Sequence, residues 1–312
     1  MAQPDKIDTR IYPGLEELSE AAAEALVSIL QAAIEQRDRF TMALSGGNTA
    51  RYLYGLLATT YRAVIPWRKV QLFWGDERYL PPEDPRSNYR MAKEALLEHI
   101  AIPRDNVHPM PTLLPEIEEA AEAYEETLMS YFTGQWPRFD LILLGMGPDG
   151  HVASLFPHNA VLDEEARVVA AVQAEADPPR RLTLTLPAIN HAANVHFLVA
   201  GREKAAAVKL AFAPRATVAA APASGIRPAK ARSSGGWTRP RRARYTRKSD
   251  TCVPPAHSCR DHSCGLALSA PTSATCPATA AGQTAPRSST CRSRTPGTQG
   301  GGGGRAGGRP TA

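Results

Sequence analysis

Residues 139–157 read FDLILLGMGPDGHVASLFP, and the order of residue types in this stretch decides the fold class. Leu141 to Leu144 are four consecutive apolar residues, which suits a short strand covered on both faces rather than one with a wet side. Gly145, Gly147 and Gly150 follow. They allow a sharp turn where Cβ atoms would clash, so Asp149 and His151 are presented at the carboxyl end of the strand. Open α/β sheets keep their ligands at that end. An ordinary Gly-rich strand-to-helix turn, with a capping Asp and a surface His, has the same spacing, so the string alone is suggestive rather than specific.

The same grammar recurs on both sides. Leu15 to Arg37 carries Leu15, Leu18, Ala22, Leu26, Ile29 and Ala33, a spacing that predicts a helix packed along one stripe. Phe40 to Leu44 reads as a buried strand running into Ser45-Gly46-Gly47-Asn48-Thr49 and a helix to about Ala58. Such a turn aims free backbone N–H groups at whatever lies above it, and the helix dipole favours an anion there. A plain βα turn with an N-cap is the competing reading. Val70 to Trp74 is a further buried strand, ending in Gly75-Asp76-Glu77-Arg78-Tyr79 and a Pro-rich loop through Ser87-Asn88-Tyr89; a surface ion pair among Asp76, Glu77 and Arg78 is the ordinary alternative. Met91 to Ile100 and Glu116 to Phe132 are helical by period, Val168 to Val172, Arg180 to Leu186 and Asn194 to Ala200 read as strands, and Gly201-Arg202-Glu203-Lys204 opens a helix running at least to Lys209. Apolar strands alternating with amphipathic helices give an α/β fold with a mainly parallel sheet covered on both faces.

The string GMGPDGHVASLFP closely resembles the signature of the 6-phosphogluconolactonases and of their relatives, the glucosamine-6-phosphate deaminases, and WGDERYLPPEDPRSNY resembles the second signature of the lactonases. The resemblance covers about residues 10–209. It implies the three-layer Rossmann-like fold shared by these lactonases, deaminases and ribose-5-phosphate isomerases. It also implies that His151 is the general base, that Asp76 lies in the active site, that Arg78 faces the ligand and that the Ser45-Gly46-Gly47 loop holds a sugar phosphate. The family places an Arg before a Leu-Thr strand and a Lys after a later apolar strand on the phosphate, which carries over to Arg181, in preference to Arg180, and to Lys204. Asp149 or Asp76 would orient the imidazole. Val152 and His158 stand where the family pattern has Thr and Gly. His191, His196 and Lys209 are read as loop, strand face and helix surface.

Composition divides the chain near residue 229. Residues 1–229 hold 22 Lys and Arg against 29 Asp and Glu, whereas residues 230–312 hold 14 against only Asp250 and Asp261. The overall positive charge therefore says nothing about the partners of the body. All five cysteines (Cys252, Cys259, Cys264, Cys276 and Cys291) lie in the tail, so the body fits a reducing compartment. No apolar run approaches the roughly 18 residues of a membrane helix, and the early Asp5, Asp8, Glu16 and Glu17 do not suit a signal or transit peptide. A cytoplasmic protein is expected.

From Lys230 on there is no Ile or Phe, one Val (Val253) and two Leu, Leu266 and Leu268. Such a segment buries too little to offset its conformational entropy. A nucleic-acid-binding arm would need more aromatics than Trp237 and Tyr245, and a metal module would need closer cysteine pairs. Arg, Pro, Ala, Gly, Ser and Thr dominate as they would in a GC-rich gene read out of frame. The expected organisation is a lactonase-like domain over residues 1–229, lacking the closing strand of its sheet, and a low-complexity basic, disordered tail over 230–312.

What these residues and the resemblance imply together is the hydrolysis of 6-phosphogluconolactone in the oxidative pentose phosphate route. It would need neither metal nor organic cofactor, act on a small sugar phosphate, use no nucleic acid or membrane, and work as a monomer or small homo-oligomer. The alternatives are a glucosamine-6-phosphate deaminase or isomerase, which could use Asp76 and His151 to move protons, and a non-catalytic sugar-phosphate-binding protein.

Overall fold

The computed structural model describes residues 8–228 and 265–269. The central sheet forms around β2 (Phe40–Leu44), β3 (Val70–Trp74) and β6 (Leu141–Leu144). β2 and β6 are buried along their whole lengths and β3 at four of its five residues, as expected of parallel strands with helices on both faces. With β1 (Asp8–Tyr12), β5 (Val107–His108), β9 (Val195–Ala200) and β10 (Gly265–Ser269), the order is β1-β10-β9-β6-β2-β3-β5. The five strands from β9 to β5 are parallel, and β10 runs antiparallel to both β9 and β1.

This order positions the site. After β2 the chain adds β3 and β5 on one side, then returns to add β6 and β9 on the other. The connections therefore diverge between β2 and β6, leaving a crevice beyond the carboxyl ends of these two strands. Ser45 and Gly145 are the first residues on its two lips.

Of the helices, α1 (Leu15–Arg37) buries Leu18, Ala22, Leu26, Leu30 and Ala33 as one stripe. Glu16 and Glu17 in its first turn and Arg37 in its last complement the helix dipole. α2 (Asn48–Ala58) follows the Ser45 turn, and α3 (Asn88–Ala95) begins earlier and ends earlier than its apolar period indicates. Ser87 accounts for the early start, because its side chain accepts a hydrogen bond from the N–H of Arg90. The longer α4 (Ile117–Tyr131) is followed late in the chain by the short α5 (Leu186–Asn190) and α6 (Ala205–Ala211).

Two features depart from the sequence reading. β4 (Asp76–Arg78), β7 (Val169–Gln173) and β8 (Arg180–Leu184) form a separate three-stranded antiparallel sheet, order β4-β8-β7, so the strands near 170 and 180 do not extend the main sheet. β8 also stops at Leu184, because Thr185 caps α5 by accepting from the N–H of Ala188. The second departure is β10, which fills the position expected to be empty, with Gly265 opposite Ala200 and Ser269 opposite His196. GLALS is the single place in the tail where two leucines alternate with small residues, a strand-like pattern. The rest of the tail lies outside the described residues.

His196 on β9 is buried, and burial pushes its pKa down to about 4. It is therefore held neutral, and the stability this represents is intact above about pH 6.5 and is lost as pH falls toward 4, about 3 kcal/mol in all. Glu77, also buried, is pushed up to about 7, mainly by desolvation, and works the other way. Its contribution is full below about 4.5 and lost as pH rises through 7. The difference between wild type and His196→Leu isolates the histidine. Urea unfolding at pH 7 and pH 4.5 is expected to show the variant losing less stability on acidification; equal losses would contradict the assignment.

Candidate active site

Three strand ends and one facing strand enclose a cavity of about 360 Å³. The first wall is the Ser45–Gly47 turn. Gly47 has φ +93° and is the N-cap of α2 with no side-chain cap, so the opening N–H groups of the helix have no intrahelical acceptor and face the crevice. The N–H of Ser45 is not among them, because it donates to the Tyr54 hydroxyl at 2.9 Å. The Ser45 hydroxyl instead accepts from the N–H of Gly145 at 3.2 Å and ties the two lips together. The free donors are those of Gly46, Gly47 and the start of α2, a shift of one residue from the sequence expectation.

The second wall is β4. Strand alternation turns Asp76 and Arg78 toward the cavity and Glu77 away from it. Asp76 is buried; Ser154 Oγ donates to its Oδ2 at 2.8 Å, and Asn88 Nδ2 donates to its backbone carbonyl at 2.9 Å and reaches Oδ1 at 3.4 Å. Glu77 is no surface ion: its carboxylate accepts from the N–H groups of Arg78, Asn88 and Tyr89 at 2.7–2.8 Å.

The third wall is the Gly145–Ala153 turn. The N–H of Gly147 donates to the carbonyl of His151 at 2.8 Å, closing the loop. Asp149 Oδ1 lies 2.6 Å from His151 Nδ1 and also accepts from the His151 N–H at 3.2 Å. A carboxylate only accepts, so Nδ1 carries the proton and Nε2 is left as the available base. Asp149 is thus the partner of the imidazole, and its hydrogen bond to backbone does not prevent this. A Cβ at Gly147 would collide with both side chains of the pair, which explains the glycine. His158, where the family pattern has Gly, has φ +59°, the left-handed region that glycine adopts without strain.

The fourth side is cationic. Arg181, on β8 opposite Arg78, lies over the Phe156 ring at 5.4 Å, and the His151 ring packs on the same phenyl at 4.5 Å. Arg181 donates from Nε to the Pro178 carbonyl at 3.0 Å and from Nη2 to that of Asp177 at 3.3 Å. Arg180 points elsewhere, over the Tyr79 ring at 4.8 Å. Lys204, just past β9, completes the set with Glu203 beside it. Arg78, Arg181 and Lys204 all line the cavity, and none forms an ion pair among the described residues. Arg78 Nε is also buried without a hydrogen-bond partner. These three positive groups, with Asp76 and Glu203 on the same wall, leave the lining with an excess of positive charge, which suits an anion with several oxygens.

Ser45, Gly46, Gly47, Asp76, Arg78, His151, Arg181 and Lys204 therefore lie together on the cavity wall, with Asp149 directly behind His151. Asn88 and Ser154, both touching Asp76, were not foreseen; Asn88 was read as part of a loop. Among the described residues no group of three or more His, Cys, Asp or Glu side chains is placed to hold a metal, and no helix is long and apolar enough to cross a membrane.

Residues 13–234 match the family model described as glucosamine-6-phosphate isomerases/6-phosphogluconolactonase. A 6-phosphogluconolactonase of Synechocystis sp. is 45% identical over 214 residues, covering 68% of this chain and 87% of the relative. One from Nostoc sp. is 40% identical over 226 residues, covering 72% and 92%. The solved structure of 6-phosphogluconolactonase from Trypanosoma brucei superposes with a TM-score of 0.63 at 33% identity, covering 70% of this chain and 91% of that one.

Proposed function

The chain belongs to the glucosamine-6-phosphate isomerase/6-phosphogluconolactonase family, and from that premise we propose that this cavity binds 6-phosphogluconolactone and opens its ring with His151 as the general base. The chain is an enzyme that hydrolyses a lactone. The observation that carries the site assignment is the junction, in a single cavity, of three cations that form no ion pair among the described residues and one Asp-held imidazole.

A δ-lactone is already activated, so catalysis needs position and a proton shuttle rather than a covalent nucleophile. The N–H groups of Gly46, Gly47 and the first turn of α2, with Arg78, Arg181 and Lys204, hold the 6-phosphate and so fix the ring. Asp76 faces the sugar and accepts one of its hydroxyls. His151 Nε2 takes a proton from water as the water oxygen bonds to C1. The imidazolium formed is stabilised by Asp149. Collapse of the tetrahedral intermediate breaks the bond between C1 and the ring oxygen, and the proton on Nε2 passes to that oxygen. One water is consumed and one hydroxy acid is formed, with His151 returned neutral. We place this activity in the cytoplasm, on a monomer or small homo-oligomer that uses neither nucleic acid nor a membrane; the cysteine-free body supports that location.

The test against the amino-sugar alternative is direct. The full chain is expected to accelerate opening of fresh 6-phosphogluconolactone and to release no ammonia from glucosamine-6-phosphate. Ammonia release with lactone opening at the spontaneous rate would replace this reading by the deaminase one.

A further inference from the structure

One buried carboxylate near the site does not face it. Glu77 is 2% exposed and meets no cation within ion-pair distance among the described residues. Burying a carboxylate without a counter-charge is expensive unless its lone pairs are filled by donors. Here they are: Oε1 accepts from Arg78 N–H at 2.8 Å and Asn88 N–H at 2.7 Å, and Oε2 from Tyr89 N–H at 2.7 Å and Ser87 Oγ at 3.2 Å. Ser87 already caps α3 through the N–H of Arg90, so the helix start does not need Glu77 merely in order to form.

What Glu77 adds is a clamp between β4 and the turn at Ser87–Tyr89. Within that turn only Asn88 reaches the cavity. Its amide nitrogen holds Asp76 by both backbone carbonyl and carboxylate, and its oxygen lies so close over Gly46 that a Cβ there would collide with it. One side chain thereby spaces the acid facing the sugar from the phosphate turn. We propose that Glu77 is a positioning residue for the reaction, acting through Asn88 to fix Asp76 against the Gly46 turn. This rests on the lactonase reading of the cavity.

The test is a double-mutant cycle on kcat in the full chain: wild type, Glu77→Gln, Asn88→Ala and the pair. Gln keeps the shape but turns an NH2 group toward backbone donors, which opens the clamp. Each single variant is expected to lower kcat about 10-fold or more with a smaller change in KM, and the pair to be no slower than Asn88→Ala alone. Losses that multiply in the pair, or an unchanged kcat in Glu77→Gln, would overturn the proposal. Should Glu77→Gln not fold, Glu77→Asp takes its place in the cycle and is judged by the same two outcomes. Failure of the underlying reading looks different, because the wild-type chain would then not accelerate lactone opening at all.

Discussion

His151→Ala is expected to slow catalysed opening of 6-phosphogluconolactone by about 10²–10⁴-fold, the range typical for removal of a positioned general base, while 6-phosphogluconate still raises the melting temperature of the variant. The two expectations separate because the turn is built by backbone and the proposed chemistry by one ring. The N–H of Gly147 donates to the carbonyl of residue 151, and that of Gly150 to the carbonyl of Gly147; alanine keeps both. What alanine removes is the imidazole held 2.6 Å from Asp149. Rates and melting curves measured together check this. A variant that hydrolyses as fast as wild type removes His151 from the mechanism, and one that no longer responds to 6-phosphogluconate shows that the ring serves binding instead.

The second large effect is on recognition. Lys204→Met keeps the aliphatic stem and removes the charge. A charged hydrogen bond is worth about 1.5–3 kcal/mol, so KM for the phosphorylated lactone is expected to rise about 10- to 100-fold with kcat little changed. Gluconolactone, which has no phosphate, is expected not to distinguish the variant from wild type. Lys204 suits this test better than Arg181, whose guanidinium also holds the carbonyls of Asp177 and Pro178 and covers Phe156. A change of equal size for both lactones would show that Lys204 does not meet the phosphate.

The parts of this architecture visible in the sequence are those set by local pattern. β6 is an unbroken apolar run, and β2 and β3 are apolar but for Thr41 and Gln71; each is followed by glycine within two residues, and residues placed after them meet in the cavity. The attachment of β4 to the β8-β7 pair was not visible, because it depends on contacts between residues about a hundred positions apart, such as Arg78 with Arg181. Nor was the choice between Asp149 and Asp76 as the partner of His151. It follows from the path of the turn, where Gly147 makes room for the pair and Gly150 at φ +86° carries the chain round. The Ser45 N–H illustrates the same limit on a smaller scale, since its acceptor is a tyrosine hydroxyl nine residues away on α2. Glu77 looked like one member of a surface charge cluster until the course of the loop showed its carboxylate turned inward onto three backbone donors.

The measurement that tests the central claim most directly is the initial rate at which the full chain opens freshly prepared 6-phosphogluconolactone, compared with the spontaneous rate in the same buffer. A rate far above the spontaneous one, proportional to enzyme concentration and competitively inhibited by 6-phosphogluconate, is predicted. A rate equal to the spontaneous one from a folded protein that still binds 6-phosphogluconate would contradict the account and leave a binding site without turnover.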